Sequence, residues 1–126
     1  VFLPDHKNEL EKLQGYLNKA LDLGFDFLIF VGIGGANLGV MTVYNALTPS
    51  KKIYFIENID PDFNESIFQQ IKTKYATGSK ALLIIASKSG MTSETMANFA
   101  TTLALFKEIE SQWRERTFVT TTQNFW

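Results

Sequence analysis

Residues 81–95 read ALLIIASKSGMTSET: an unbroken apolar run, Ala81 to Ala86, opens directly into a segment carrying five hydroxyls and one glycine. A helical pattern from Met96 to Ile109 follows. Continuous apolar residues ended by a polar turn are the mark of a strand buried on both faces. A strand that opens into a hydroxyl-rich turn and then a helix gathers unpaired backbone N–H groups, the positive end of a helix dipole and side-chain donors at one point. That arrangement suits a phosphate. The plainer reading of the same hydroxyls is a polar turn in which Thr92 or Ser93 only caps the helix.

A second segment of the same type shifts the balance between these readings. Residues 32–39, GIGGANLG, also follow an apolar run, Phe27 to Val31, and precede a helical pattern with Val40, Val43, Tyr44 and Leu47 on one face. Four glycines within eight residues exceed what a tight turn requires, and Gly34 and Gly35 would let the backbone approach a ligand closely. In a parallel sheet every strand-to-helix loop emerges at the carboxyl edge, so loops after neighbouring strands converge on one ligand.

The remaining chain supplies the rest of such a sheet. Leu10, Leu13, Leu17, Ala20 and Leu21 recur at helical spacing, with Gly24 where a C-terminal cap belongs. Ile53 to Ile56 predict a strand, and Asp60-Pro61 predict an N-cap with proline at the first position of a helix marked by Phe63, Ile67, Ile71 and Tyr75. Met96, Phe99, Ala100, Leu103 and Phe106 mark the last helix, and Thr117 to Thr121 a fourth strand. Alternating helices and continuously apolar strands predict a three-layer α/β/α, doubly wound parallel sheet in flavodoxin-like order, with the first and third strands adjacent. Residues 1–126 are expected to form a single domain. Because the chain starts at Val1 and stops at Trp126 just after a strand-like run, it is expected to be a piece of a longer protein.

Composition narrows the partners. The 126 residues are 45% hydrophobic and 20% charged, with a net charge of −1 and scattered basic residues, which gives no electrostatic reason to expect nucleic acid. No apolar run is long enough to span a bilayer, so no membrane partner is expected, and a cytoplasmic location fits. The chain has no cysteine and one histidine, His6, which rules out thiolate zinc sites and a histidine metal cluster.

Three other chemistries fit the residues less well. A dinucleotide site would need Gly-x-Gly-x-x-Gly; Gly32-Ile33-Gly34-Gly35 begins well and Glu57 could bind a ribose, but Asn37 stands at the third glycine. A P-loop fails because Val40-Met41 replace the lysine and hydroxyl residue. A serine hydrolase fails because Ser87 and Ser89 have no base other than the sequence-remote His6.

These segments, Gly32 to Gly39, Asn58-Ile59-Asp60 and Ser87-Lys88-Ser89-Gly90-Met91-Thr92-Ser93-Glu94-Thr95, resemble the successive motifs of the sugar isomerase (SIS) domain of the glucose-6-phosphate isomerase family, in matching order across nearly the whole chain. The resemblance implies an enzyme of glycolysis and gluconeogenesis that interconverts glucose 6-phosphate and fructose 6-phosphate, needs no metal or organic cofactor and works as a cytoplasmic homodimer. It implies that Ser87, the backbone around Lys88, Ser89 and Thr92 hold the phosphate, while Gly34 and Gly35 lie against the sugar. Two positions depart from the family pattern: Ala36 stands where serine is usual, and Met91 where threonine is. The family's proton-transfer residues map onto nothing in this sequence, so no catalytic residue is expected here and the isolated chain is expected to be inactive. Glu94 reads as a carboxylate in a helix's first turn. The alternative function is a non-catalytic SIS sensor domain with the same pocket.

Overall fold

The structure, a computed structural model, describes residues 7–47, 49–89 and 92–121. Helix and strand alternate through them: α1 (Lys7–Leu23), β1 (Phe27–Val31), α2 (Gly35–Leu47), β2 (Lys52–Ile56), α3 (Pro61–Ala76), β3 (Ala81–Ala86), α4 (Ser93–Ile109) and β4 (Thr117–Thr120). The strands form one parallel sheet in the order β2-β1-β3-β4. β1 pairs with both neighbours in register, Val31 lying opposite Ile56 on one side and Ile85 on the other. The expected adjacency of the first and third strands is therefore present.

Right-handed crossovers then fix the layers. From β1 the chain steps outward to β2, and from there it moves back across the sheet to β3 and β4, so α2 lies on one face and α3 with α4 on the other. Phe27, Ile29 and Val31 alternate toward the α3/α4 face, where they pack with Ile67, Ile71, Leu105 and Phe106. Phe30 points the other way and meets Phe55, whose ring in turn contacts Tyr44 of α2 edge-on. β1 and β3 are buried on both faces, which is why they are apolar without alternation.

Local signals set the helix boundaries. Asp60 accepts the N–H of Asp62 at 3.0 Å and Pro61 takes the first position of α3, as the sequence predicts. Gly24 follows α1 with φ of +64°. α4 begins at Ser93, three residues ahead of the expected start at Met96.

Two expectations of burial change. The α1 stripe forms a helix but buries no side chain, with Leu13 at 59% and Leu21 at 57% exposure. On α4 the deepest positions include Thr95, Asn98 and Thr102, whereas Ala100 of the expected face is exposed. α4 turns that polar stripe toward α3, where Asn64 Nδ2 donates to Asn98 Oδ1 at 3.3 Å.

Candidate functional site at the carboxyl edge of the sheet

The loops after β1 and β3 lie side by side because their strands do. The glycine-rich segment divides in the structure: residues 32–34 form the turn, and Gly35 already begins α2, so the helix starts earlier than the spacing predicts. Gly32 packs under the turn, where an added Cβ would come within 2.9 Å of the Phe30 ring and 3.5 Å of the Ala86 carbonyl. Gly34 has φ of +62°, the left-handed conformation that reverses the chain into the helix, and its carbonyl accepts the N–H groups of Asn37 and Leu38, each at 3.0 Å. Gly34 and Gly35 are both exposed. The N-terminus of α2 thus opens at this edge, with the unpaired N–H groups of a first helical turn.

The second loop is tied down by β4. Ser87 is nearly buried; its N–H donates to the Thr120 carbonyl at 3.0 Å, and the Thr121 hydroxyl donates to the Lys88 carbonyl at 3.4 Å. Lys88 and Ser89 are exposed. Gly90 and Met91 lie outside the described residues, as does His6. Thr92 occupies the N-cap of α4 with extended backbone, and its carbonyl accepts the Met96 N–H at 2.9 Å, but its side chain makes no capping hydrogen bond. The plainer reading, a hydroxyl present only to cap the helix, therefore has no bond to rest on at Thr92. Glu94 is exposed in the first turn of α4, where a carboxylate complements the dipole.

Of the six residues expected to bind ligand, the fold places Gly34 and Gly35 at the start of α2 and Ser87, Lys88, Ser89 and Thr92 between β3 and α4, all at one edge. Two helix N-termini, exposed backbone and several hydroxyls there can accept an anionic group. Sequence reasoning missed Asn37, which is 1% exposed and donates through Nδ2 to Glu57 just past β2 and to Met41 Sδ at 3.3 Å. Its place at the third-glycine position was visible; that its amide would take Glu57 was not. Beside this pair, Asn58 is bound through its carbonyl by Asn64 Nδ2 at 2.8 Å, and its side chain accepts the Asp60 N–H at 3.1 Å. The segment Asn58-Ile59-Asp60 is thus a structural turn that starts α3.

The opposite, amino edge carries a second polar cluster. Glu110, almost wholly buried, contacts Lys80 Nζ at 3.4 Å and Arg116 Nε at 3.5 Å, and accepts the Tyr75 phenol at 3.1 Å. Arg116 also donates to the carbonyls of Gly24 and Leu23 at 2.9 and 3.0 Å, closing the end of α1. Among the described residues no group of three or more His, Cys, Asp or Glu is placed to hold a metal, and no helix is long and apolar enough to cross a membrane.

Comparison with known proteins places this geometry in context. Residues 12–125 match the family model described as phosphoglucose isomerase. The chain is 41% identical over 96 residues to a glucose-6-phosphate isomerase of Chlamydia felis, covering 73% of this chain and 17% of that protein. It is 35% identical over 77 residues to one from Methanocaldococcus jannaschii, covering 60% of this chain and 18% of the relative. Among solved structures, a glucose-6-phosphate isomerase from Chlamydia trachomatis superposes with a TM-score of 0.67 at 29% identity, over 85% of this chain and 22% of that one. A hypothetical protein from Thermus thermophilus superposes with a TM-score of 0.70 at 26% identity, over 94% and 28% of the respective chains. The chain thus spans about a fifth of the length of the curated relatives it matches.

Proposed function

The chain belongs to the phosphoglucose isomerase family, and from that premise we propose that its carboxyl edge binds a sugar phosphate within an enzyme that interconverts glucose 6-phosphate and fructose 6-phosphate. Ser87, the backbone at Lys88, Ser89 and Thr92 hold the phosphate, and Gly34 and Gly35 lie against the sugar. The observation that carries this reading is the Thr92 hydroxyl at the N-cap of α4, which makes no cap hydrogen bond and follows the strand paired with the one that leads into α2. Phosphate oxygens would accept from it and from the first-turn N–H groups together.

In this reading the chain is one SIS domain, residues 1–126, supplying binding but no proton transfer. Moving a proton between neighbouring sugar carbons needs a carboxylate base and a ring-opening acid at the reacting carbons. Those groups come from polypeptide outside this segment or from the partner subunit of a cytoplasmic homodimer. The reaction requires neither metal nor organic cofactor.

The test is a titration of the chain with glucose 6-phosphate, fructose 6-phosphate, free glucose and inorganic phosphate, followed by amide NMR shifts, alongside a turnover assay. Shifts at Gly34, Gly35 and residues 87–95 with the phosphorylated ligands only, without turnover, are expected. Shifts elsewhere would move the site, and enzymatic turnover by the isolated chain would refute the division of labour.

A further inference from the structure

We propose that Glu57 is a specificity-determining residue of this site, accepting hydroxyls from the sugar at the end remote from its phosphate; this rests on the sugar-phosphate reading above. Glu57 follows the last residue of β2, at the same carboxyl edge as the two loops, and is exposed. The turn after β1 is joined to it directly, since Gly32 N–H donates to the carbonyl of Ile56 at 3.4 Å.

The carboxylate is held in place from below. Asn37, buried in the first turn of α2, donates Nδ2 to Glu57 Oε2, while its own Oδ1 has no hydrogen-bond partner among the described residues. A buried amide with an unpaired carbonyl is a poor device for stability alone, because the unpaired group keeps its desolvation cost. It is a good device for orienting a carboxylate that would otherwise swing freely in solvent.

Position and chemistry then specify the contact. β2 and β3 flank β1 on opposite sides, so Glu57 and the loop after β3 stand two strand spacings apart, roughly 9.5 Å. That is the length scale of a hexose phosphate, and a phosphate held by Ser87, Ser89 and Thr92 would leave the far end of the sugar toward β2. An ionised carboxylate only accepts hydrogen bonds and has about four lone-pair sites. Asn37 occupies one; the others suit neighbouring sugar hydroxyls, which donate. The same charge repels a ligand whose far end is itself anionic.

Calorimetric titration of the protein and its Glu57→Gln variant with three ligands tests this: glucose 6-phosphate, 6-phosphogluconate, whose C1 is a carboxylate, and inorganic phosphate. Glutamine keeps an acceptor oxygen for Asn37 but removes the charge. The expected result is about a tenfold loss of glucose 6-phosphate affinity, the weight of one charge-assisted hydrogen bond, with a gain for 6-phosphogluconate and no change for inorganic phosphate. Equal glucose 6-phosphate affinity in both forms overturns the role of Glu57 while leaving the phosphate loop standing. A uniform loss for all three ligands with a lowered Tm makes Glu57 structural and also overturns it. If the unaltered protein binds none of the three, the underlying sugar-phosphate reading fails first and the proposal with it.

Discussion

The phenol of Tyr75 is shared between two partners at the amino edge of the sheet: it donates to Glu110 Oε2 at 3.1 Å and accepts the N–H of Ala81 at 3.1 Å. One side chain on α3 thereby joins the end of α4 to the first residue of β3. Lys80 and Arg116 complete the charge around the buried carboxylate. The cluster lies at the far end of the strands from the carboxyl edge proposed to bind the sugar phosphate, so stability and binding should be separable by mutation.

Tyr75→Phe keeps the ring packed against Phe27 and Phe106 but removes both hydrogen bonds. An unpaired N–H at the fully buried Ala81 and a weakened Glu110 site should cost about 1–3 kcal/mol. A lower urea midpoint with unchanged slope and unchanged phosphate affinity is expected. A midpoint within error of the unaltered protein would show that water replaces the phenol at no cost.

Glu110 also sets a pH dependence. Burial disfavours its charged form, but the N–H of Gln112 at 3.0 Å, the Tyr75 phenol and the Lys80 ammonium outweigh it, so the carboxyl titrates below its ordinary value of 4.5. A group with a depressed folded pKa contributes stability above its unfolded pKa and loses it as pH falls through the folded value. Burial conversely pushes the Tyr75 phenol up, so its contribution is present below the ordinary value of 10.0 and lost above it. Tm should therefore decline below about pH 4.5 and above about pH 10. Glu110→Gln should flatten the acid limb, and an unchanged acid limb would assign it to other carboxylates.

Different parts of this molecule were legible to different degrees. Phe27–Val31 and Ala81–Ala86 could be read directly, because a strand covered on both faces must be apolar throughout. Asp60-Pro61 announced α3, since capping chemistry is local. Burial on helices was less legible: periodicity says which residues share a face, not which face meets a partner. Leu13 and Leu17 share a face that stays at least half exposed, whereas Asn98 and Thr102 are buried and Asn98 meets Asn64 of α3. Glu110 and Arg116 gave no signal in the sequence because several of their partners lie far away in it: Glu110 meets Tyr75 and Lys80, and Arg116 bonds the carbonyl of Gly24 across 92 residues. At the carboxyl edge the loops were legible from hydroxyls and glycines, but the contact between Asn37 and Glu57 depends on the pairing of β1 with β2.

The N-cap hydroxyl offers a test of the phosphate loop with little structural penalty. Removing an N-cap side chain ordinarily costs about 1 kcal/mol because a bond to the helix is lost. Thr92 makes no such bond, so Thr92→Ala should shift stability by no more than about 0.5 kcal/mol. Sugar-phosphate affinity should nevertheless fall by about 0.5–1.5 kcal/mol, and further when Ser87→Ala is added. Loss of stability without loss of affinity would return Thr92 to a capping role.

Gly34 allows conformation and ligand contact to be separated. Its φ of +62° is disfavoured for a side-chain-bearing residue, yet an added Cβ would meet nothing within 4 Å, so the penalty is conformational rather than a collision. Gly34→Ala should cost about 1–2 kcal/mol in unfolding free energy. Gly34→Asn should cost less, because asparagine tolerates the left-handed region better than other non-glycine residues. Binding should follow a different order. If the sugar lies against this backbone, either side chain intrudes where the ligand must approach, and asparagine, the larger, should weaken glucose 6-phosphate binding more than alanine while inorganic phosphate binds as before. Measured side by side, destabilisation ranking alanine above asparagine and affinity loss ranking asparagine above alanine would assign both roles to Gly34. Affinity losses that merely track the stability losses would leave it only the turn.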